Sequence, residues 1–436
     1  MKKRLLFFVF VVLALVLASC SSAAPTPAAP SGTTGSEAPA AGNEAPAAGN
    51  EAPAPGSETS SEVSQMCDAD EFGCAVIPAG QTVKIGMGAP ITGDYASFGV
   101  DISQGAMIAV KDAGTVEGFP FELVAQDTQG APEGGAAVAN KLSTDPTVVA
   151  IAGHIFSGST EAAMPIYEKV GMPMMSPSAT NPPLTTLGSK VFNRIAFTDA
   201  VQGKFAAEYL YNKLGFRKLA VLHDGGAYGQ GLADVVRDEF TALGGEVVGY
   251  EAITPGETDY TATLSALAAK SPEAIYFGGY VAEGVVLANN MKQSGLEKAV
   301  FFGCDGTFGA EFIEKTGANG EGAYAASLIP PDSEAKKKFD ADYLAAYGVE
   351  AGTLSPYTWS GYDAAAVLMA KVKEVAVLGA DGSLYVPRGA LVSAVRATSG
   401  FTSITGDVTC NDVGECNTAG PTFYVVQGGE WVQAAK

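Results

Sequence analysis

The residues with the clearest chemical potential are hydroxyl side chains that follow two neighbouring apolar runs. Residues 147–153 lead into a loop with Ser157 and then a helical segment, and residues 171–177 lead into Ser178 and Thr180. A serine at this position is often a simple helix cap, but the first free N–H groups of a helix can also receive an anion. Two such loops side by side can bind a carboxylate with neutral donors.

A second group of residues has the opposite character. Asp305 directly follows the apolar run 298–304, and Tyr280 directly follows the run 274–279. A carboxylate that faces a cleft suits an ammonium group, because a buried charge needs a partner of opposite sign. The alternative is a solvated aspartate in a turn. Carboxylate-binding hydroxyls in one half of the chain and an ammonium-binding acid in the other match an α-amino acid.

Catalytic and metal-binding patterns are weak in this sequence. A Ser–His–Asp triad could be assembled from Ser157, His154 and Asp127, but no G-x-S-x-G turn accompanies it. His154 and His223, the only two histidines, each follow an apolar strand, where backbone hydrogen bonds are the simpler role. No H-E-x-x-H or comparable ligand spacing occurs. The sequence predicts a protein that is not an enzyme, with no metal and no cofactor.

One glycine-rich loop, residues 224–231, follows an apolar strand and opens a helix, where phosphates are often bound. Its glycines fit neither G-x-G-x-x-G nor the P-loop, and no Lys-Ser/Thr follows. We expect no nucleotide site there.

The elements that position these residues alternate between short apolar strands and amphipathic segments from Thr82 onward. A second series of the same kind begins near Lys190. Strands that are apolar on both faces and separated by helices indicate a parallel sheet covered on both sides. The chain beyond residue 64 exceeds the ~250–300 residues at which single cores stop growing. The sequence therefore predicts an α/β protein with two doubly wound parallel-sheet lobes, and ligands bind outside the carboxyl ends of such strands.

The first amphipathic segment, residues 101–114, is predicted to be a helix with an apolar face. That face consists of Ile102, Ala106, Ala109, Val110 and Ala113.

The N-terminal segment has the features of a secretion signal. Three basic residues precede an apolar run, Leu5 to Leu17, which is too short to span a bilayer. Leu17-Ala18-Ser19-Cys20 is similar to a bacterial lipobox, so residues 1–19 are predicted to be a lipoprotein signal peptide and Cys20 the lipidated residue. The alternative is an ordinary signal peptide with an incidental cysteine.

Residues 20–64 are rich in alanine, proline and glycine and contain three heptads, which start at Ser36, Asn43 and Asn50. The heptads have no apolar a/d pair, so they do not predict a coiled coil. Without large apolar side chains the segment cannot offset the entropy of ordering. We expect a disordered tether that attaches the protein to the membrane through its lipid.

The remaining five cysteines form two close pairs and one single residue. Cys67 and Cys74, and Cys410 and Cys416, lie in polar, turn-rich sequence. In an oxidising compartment, disulfides Cys67–Cys74 and Cys410–Cys416 are the natural expectation. A structural metal site is the alternative, although neither pair has C-x2-C spacing or a nearby histidine. Cys304 is expected to be a buried free thiol.

The formal net charge of −21 and the lack of a basic cluster argue against nucleic acid and anionic lipid headgroups as partners.

Five motifs of this chain resemble the leucine/isoleucine/valine-binding family of the type I periplasmic binding proteins. They are GHIFSGST, SPSATNP, VLHDGGAYGQG, YFGGY and GCDGT, and the resemblance runs from about Val83 to Gln433. It implies two lobes joined by three hinge crossovers that close over a free amino acid. It also implies a monomer that delivers its ligand to the membrane permease subunits of an ABC transporter. Residues 65–198 plus 328–406 would form lobe I, and residues 199–327 plus 407–436 lobe II.

The resemblance also assigns roles to single residues. Ser157 and Thr180 would bind the ligand carboxylate through their hydroxyls, and Ser178 would use its backbone. Tyr280 and Asp305 would bind the ammonium group. The side-chain pocket would be lined by Phe98, Ile155, Phe156, Tyr228 and Tyr357.

The sequence departs from the family at three places. Asp305 replaces a longer glutamate, Phe98 replaces a tyrosine, and Gly130 and Phe156 occupy the positions of a pocket disulfide. We expect a branched-chain or other aliphatic amino acid as ligand. The alternatives are a receptor for an amide, urea or small organic acid, and a sensory ligand-binding module.

Overall fold

The computed structural model describes residues 55–416 and 420–435. The predicted signal peptide 1–19, Cys20 and the tether up to residue 54 lie outside the described residues. Among the helices of the described part, none is long and apolar enough to cross a membrane.

The described chain begins with a helix where the sequence predicted the end of the tether. Helix α1 covers Pro55–Ala69 and leads into strand β1 (Cys74–Ile77). Val63 is buried, and the Cys67–Cys74 disulfide fastens the end of the helix to the strand. These two attachments explain why the last ten residues of the predicted tether, 55–64, are helical.

The first large sheet has six strands in the order β3-β4-β2-β5-β6-β7, and all pairs are parallel except β3 with β4. Every residue of its central strand β5 is buried, as expected when helices cover both faces. The strands are β2 (Val83–Ala89), β3 (Thr115–Val116), β4 (Phe119–Asp127), β5 (Val148–Ile151), β6 (Met174–Ser176) and β7 (Phe192–Arg194). The helices of this part are α2 (Ala96–Ala113), α3 (Pro132–Ser143), α4 (Ser157–Lys169) and α5 (Pro183–Thr186).

The second large sheet has seven strands. Its strands β8 to β12 are parallel, and two antiparallel strands from the end of the chain complete its edge. The parallel strands are β8 (Lys218–His223), β9 (Glu246–Ala252), β10 (Ala274–Gly278), β11 (Val300–Phe302) and β12 (Tyr324–Ser327). The helices are α6 (Asp199–Glu208), α7 (Ala227–Ala242), α8 (Thr261–Ala268), α9 (Val281–Met291) and α10 (Ala310–Thr316).

After β12 the chain returns to the first sheet, where helix α12 (Thr358–Val375) packs along α2. The predicted apolar face of α2 makes this contact possible: Ile102, Ala106 and Ala109 are buried, while Val110 and Ala113 are half-buried. The elements of this part are α11 (Glu334–Tyr347), α12 (Thr358–Val375), β13 (Val377–Leu378), β14 (Leu384–Pro387), α13 (Arg388–Arg396), β15 (Phe401–Ser403) and β16 (Gly406–Val408). Strands β1, β14 and β13 form a small antiparallel sheet, and β15 pairs with β16.

The chain ends in the second sheet with β17 (Thr422–Gln427) and β18 (Glu430–Gln433). It thus passes between the sheets three times, after β7, β12 and β16, and the predicted α/β fold with two doubly wound lobes is confirmed. Both disulfides form as predicted, and the Cys410–Cys416 loop still pairs with the first sheet, because the backbone of Arg194 bridges Glu415.

Candidate ligand-binding site

Eight of the ten predicted ligand-binding residues line one cavity between the carboxyl ends of the two large sheets. The space open to the centre of a water-sized sphere is about 10 Å³, enough for about one water molecule. The cavity is therefore closed, and side chains fill most of the cleft. Its lining consists of Phe98, Phe156, Ser157, Ser178 and Tyr357 on one side and Tyr228, Tyr280, Asp305 and Gly306 on the other.

The other two predicted residues, Ile155 and Thr180, lie behind this lining. Ile155 is fully buried, and its carbonyl oxygen accepts a hydrogen bond of 2.8 Å from the Ser178 hydroxyl. The Thr180 hydroxyl is buried and makes no well-formed hydrogen bond in the described part of the chain, although it lies near enough to Asp199 to favour its charged form. Among the predicted hydroxyls, Thr180 is thus the one without a settled partner.

Ser157 is the first residue of helix α4, and the N-cap position, which the sequence suggested for a serine of this loop, is occupied by Phe156. Its Oγ accepts a 3.2 Å hydrogen bond from the backbone N–H of Asn181, so its own proton can be donated to a ligand. The free N–H groups of the first turn of α4 lie beside it. The Ser178 hydroxyl, by contrast, donates to the Ile155 carbonyl oxygen, so only the backbone groups of Ser178 can bind a ligand.

The loop that carries Ser178 and Thr180 is held in place by a buried arginine. The Arg194 guanidinium donates to the carbonyl oxygens of Ala179 (3.2 Å) and Asn181 (2.7 Å), to the hydroxyl of Thr185 (2.9 Å) and to the carboxylate of Glu415 (3.0 Å). Sequence reasoning missed Arg194, because nothing in its local pattern distinguishes it from a surface charge at a strand end.

Asp305 lies at the floor of the second half of the cavity, in a single 3-10 turn after β11. Only 3% of its surface is exposed. Its carboxylate accepts hydrogen bonds from Gln202 Nε2 (2.6 Å), from the Tyr357 hydroxyl (2.7 Å) and from the Tyr228 hydroxyl. Burial raises the pKa of Asp305, and these three donors oppose that rise by stabilising the charged form.

The residue after Asp305 has to be glycine. A Cβ at Gly306 would lie 2.4 Å from the carbonyl oxygen of Gly279 and 3.1 Å from the Tyr228 ring. The Gly-Cys-Asp-Gly-Thr motif therefore brings the Asp305 backbone close to Tyr228, and Cys304 is a buried free thiol there, as predicted.

A second buried carboxylate, Asp199, stands close to Asp305 and was missed by sequence reasoning. It is the first residue of α6, and its Oδ1 lies 3.4 Å from Gln202 Nε2, the atom that also binds Asp305. Burial and the neighbouring charge of Asp305 raise the pKa of Asp199 well above its usual range. Asp199 and Gln202 could have been found from the Asp-x-x-Gln spacing that they form at the start of a helix that follows a strand.

Aromatic rings fill the rest of the cleft and meet across it. Phe156 stacks on Tyr280, with ring centroids 4.1 Å apart, and Tyr228 lies 5.1 Å from Tyr280. Tyr95, which the sequence did not single out, packs 5.2 Å from Tyr280 and donates its hydroxyl to Glu283 at 3.2 Å. These contacts join the two halves directly.

The residues considered for catalysis do not come together. His154 is buried and bonded through Nε2 to the Tyr167 hydroxyl at 3.0 Å, and burial lowers its pKa to about 3. His223 accepts from the Gly225 N–H through Nδ1. No group of three or more metal-binding side chains occurs in the part of the chain that the structure describes.

The periplasmic binding protein family matches residues 82–430 of this chain. The chain belongs to that family. It is therefore an extracytoplasmic substrate-binding protein and not an enzyme.

Individual relatives agree with this assignment. The "Leu/Ile/Val-binding protein homolog 1" of Brucella abortus (strain 2308) is 31% identical over 345 residues, 78% of this chain and 90% of the relative. An "Amino acid binding protein" of Pseudomonas aeruginosa is 37% identical over 238 residues, which is 54% of this chain and 63% of the relative. The chain thus spans less than two thirds of the length of that relative.

A solved structure is similar along nearly its whole length. It is the branched-chain amino acid transporter substrate binding protein LivJ from Streptococcus pneumoniae, in complex with isoleucine. It is 27% identical to this chain, with a TM-score of 0.72, and the match covers 80% of this chain and 98% of that one.

Proposed function

We propose that this protein binds a free amino acid with an aliphatic side chain between its two lobes and delivers it to an ABC importer. The observation that supports this most is the cavity itself. It joins Ser157 and Ser178 of one half to Asp305 and Tyr280 of the other. Neutral donors opposite a buried acid suit a zwitterion, because the ligand carboxylate accepts hydrogen bonds from the donors and the ligand ammonium meets the negative charge of the acid.

In this proposal the ligand carboxylate binds at the start of α4. The Ser157 hydroxyl and the first free N–H groups of the helix donate to it, and the positive end of the helix dipole favours its charge. The unsatisfied Thr180 hydroxyl and the Ser178 backbone are near enough in the chain to add further donors.

The ligand ammonium binds Asp305 and the Tyr280 hydroxyl. Gln202 and Tyr228 hold Asp305 from its own half of the cleft, and the Tyr357 bond from the other half changes when the cleft opens and the ammonium arrives. Aspartate is about 1.5 Å shorter than the glutamate of related proteins, and the ligand therefore sits deeper in the second lobe or binds Asp305 through water.

The ligand side chain lies against the aromatic and apolar lining. Phe98, Phe156 and Tyr357 present carbon surfaces there, and burying an aliphatic side chain against them is favourable. The name of the Brucella relative and the isoleucine bound to the Streptococcus protein support an aliphatic ligand.

Binding requires the cleft to open, since the closed cavity of about 10 Å³ is too small for any amino acid. The Phe156–Tyr280 stack and the Tyr95–Glu283 hydrogen bond must separate. Motion of two lobes about three connecting segments allows that separation without unfolding either sheet.

Attachment to the membrane is part of the same proposal. Lipid on Cys20 and the tether that follows would keep the binding domain close to the permease, and the protein would act as a monomer. A Cys20→Ser variant should move from the membrane fraction to the soluble fraction; unchanged membrane attachment would contradict lipidation at this residue.

The ligand can be tested directly. We expect native mass spectrometry of the purified protein to detect a retained amino acid, and thermal-shift titration with the twenty amino acids to show the largest shift for an aliphatic one. If amides, urea or small organic acids shift the melting temperature and no amino acid does, the amino-acid proposal is wrong. Ligand-dependent capture of a signalling protein in place of a permease would favour the sensory alternative.

A further inference from the structure

The ammonium side of the cavity contains one carboxylate more than an amino acid needs. Asp199 and Asp305 are both buried, with 0% and 3% of their surfaces exposed. One amide group touches both, since Gln202 Nε2 lies 2.6 Å from Asp305 Oδ1 and 3.4 Å from Asp199 Oδ1. The second oxygen of Asp199, Oδ2, is buried and has no well-formed hydrogen bond among the described residues, although the Thr180 hydroxyl lies near enough to Asp199 to favour its charged form.

Positive charge near this pair comes from Arg194, which attracts Asp199. The two terminal nitrogens of its guanidinium bind Glu415, in a 3.0 Å ion pair, two carbonyl oxygens and a hydroxyl, and its buried Nε has no hydrogen-bond partner among the described residues. Asp305 has only neutral donors. Two like charges in a buried site cannot both ionise without a large cost, and they therefore titrate as one unit.

The other groups that face the pair stay neutral across the physiological range, because burial raises the pKa of each of them above its usual value. They come from β10, β11 and the starts of α7, α9 and α12, and they are Tyr228, Tyr276, Tyr280, Cys304 and Tyr357. The groups near this site that can exchange a proton close to neutral pH are thus the two aspartates and Asp224, which acts on Tyr280 and whose pKa burial raises to about 6.

We propose that Asp199 and Asp305 hold one proton between them before the ligand binds, and that the ammonium group of the amino acid replaces that proton. This inference rests on the proposed function of the same site. The ligand enters as a zwitterion, one proton leaves to solvent, and no covalent bond of the ligand changes. The ammonium charge then stabilises both carboxylates, so binding becomes weaker as the pH falls.

The test is calorimetric titration at pH 7 in phosphate and in Tris, whose ionisation enthalpies differ. The probe is L-leucine, or the one of the twenty amino acids that shifts the melting temperature most. We expect the observed enthalpy to differ between the buffers by the equivalent of roughly half to one proton released per ligand. We also expect the Kd to rise by up to about tenfold per pH unit below the pH at which the pair titrates.

An Asp199→Asn variant keeps the shape of the side chain and removes the shared proton. It should bind the same amino acid with little dependence on buffer and a flatter pH profile between pH 5 and 8. Asp363→Asn is the matched control, because Asp363 is an equally buried aspartate that accepts hydrogen bonds only from residues 403–405. Its proton release should equal that of the wild type.

Two results would overturn the inference while leaving the proposed function intact. One is binding by the wild type with no buffer dependence, a measurement that needs no variant. The other is undiminished proton release by Asp199→Asn, which would assign the proton to Asp305 alone. Failure of every amino acid to bind would instead refute the proposed function.

Discussion

Asp305 and Asp363 are two buried carboxylates that differ in where their hydrogen-bond donors come from. Asp363, on α12, accepts from the Ser403 hydroxyl, the Ile404 N–H (3.1 Å) and both the N–H and the hydroxyl of Thr405. All of these donors come from one three-residue turn between β15 and β16. Asp305 accepts from Gln202, Tyr228 and Tyr357, which belong to three elements far apart in the chain.

This is the difference expected between an acid that only stabilises the fold and an acid that binds a ligand, as we propose for Asp305. Asp363 is enclosed by one local turn, so its bonds form when that turn packs on α12 and need not change afterwards. Asp305 is bonded from both sides of a cleft. Its Tyr357 bond comes from the first lobe, so opening of the cleft alters the partners of Asp305. A buried acid whose donors span moving parts is suited to exchange them for a ligand.

Replacing Asp305 should have the largest effect on binding. Asp305→Ala leaves the ligand ammonium buried without its charge partner, so we expect a loss of about 2–5 kcal/mol of binding free energy. The unfolding free energy should also fall, by about 1–3 kcal/mol, because Gln202, Tyr228 and Tyr357 lose their acceptor while the cost of burying an acid beside Asp199 is removed. Calorimetry with the identified amino acid measures the first quantity and denaturant titration the second. Wild-type affinity in this variant would refute the role of Asp305.

Replacing Asp363 should show the reverse pattern. Asp363→Ala leaves two backbone N–H groups and two hydroxyls without an acceptor, and each buried unsatisfied donor costs about 1–3 kcal/mol. Since the loop can relax and admit water, we expect the unfolding free energy to fall by about 3 kcal/mol in total. The amino-acid Kd of the folded protein should stay within about twofold. If Asp363→Ala greatly weakened amino-acid binding and left the unfolding free energy unchanged, the proposed difference between Asp305 and Asp363 would be wrong.

The two disulfides, Cys67–Cys74 and Cys410–Cys416, can be compared in the same way, by their effects on stability and on ligand affinity. Each closes a loop of similar length, so removing either one by paired Cys→Ser substitution should lower the unfolding free energy by about 2 kcal/mol. Only Cys410–Cys416 holds Glu415 against Arg194, which in turn holds the loop with Ser178 and Thr180. We expect its loss to raise the Kd about tenfold, an effect of ~1.4 kcal/mol.

Loss of the Cys67–Cys74 disulfide is the control for that experiment, because it joins α1 to β1 and neither element contributes a residue to the cavity lining. It should leave the Kd unchanged. Equal effects of the two disulfides on affinity would show that Glu415 and Arg194 do not position the binding loop.

The last expected effect concerns Asp101, a fourth buried aspartate, whose donors are Tyr343, Ser355 and Thr358. Burial raises its pKa to about 6, above the unfolded value, so its protonation stabilises the folded state. That contribution is complete below about pH 4 and is lost as the pH rises through about 6. Asp101→Asn removes this titration, and the unfolding free energy should then change by about 2 kcal/mol less between pH 4.5 and 7.5. An unaltered pH profile would contradict the assignment.

Much of the fold and part of the site could be predicted without coordinates. Strand ends were recognisable from short apolar runs, so Ser157, Ser178 and Asp305 were identified as residues at the mouth of a cleft, and they line the cavity. Both disulfides followed from cysteine pairs close in sequence. These are local patterns, set by the periods of strands and helices and by short loop lengths.

The remaining features depend on residues that are distant in the chain. Gln202 lies 103 positions from Asp305, and Arg194 lies 221 positions from Glu415. Tyr95 reaches Glu283 across the cleft. No local pattern indicates which of these side chains will be buried together, and Asp199 resembled an ordinary helix-capping acid for that reason.

The sequence alone indicated the alternating strands and helices of the two large sheets but not helix α1, and it indicated which loops come to the carboxyl edge of each sheet and that one loop is neutral and another acidic. The tertiary structure decided which buried aspartate is structural and which belongs to the site, and that two of them share one amide. The physical reason is that the cost of burying a charge depends on every donor and charge within a few ångströms, and those come from all parts of the chain.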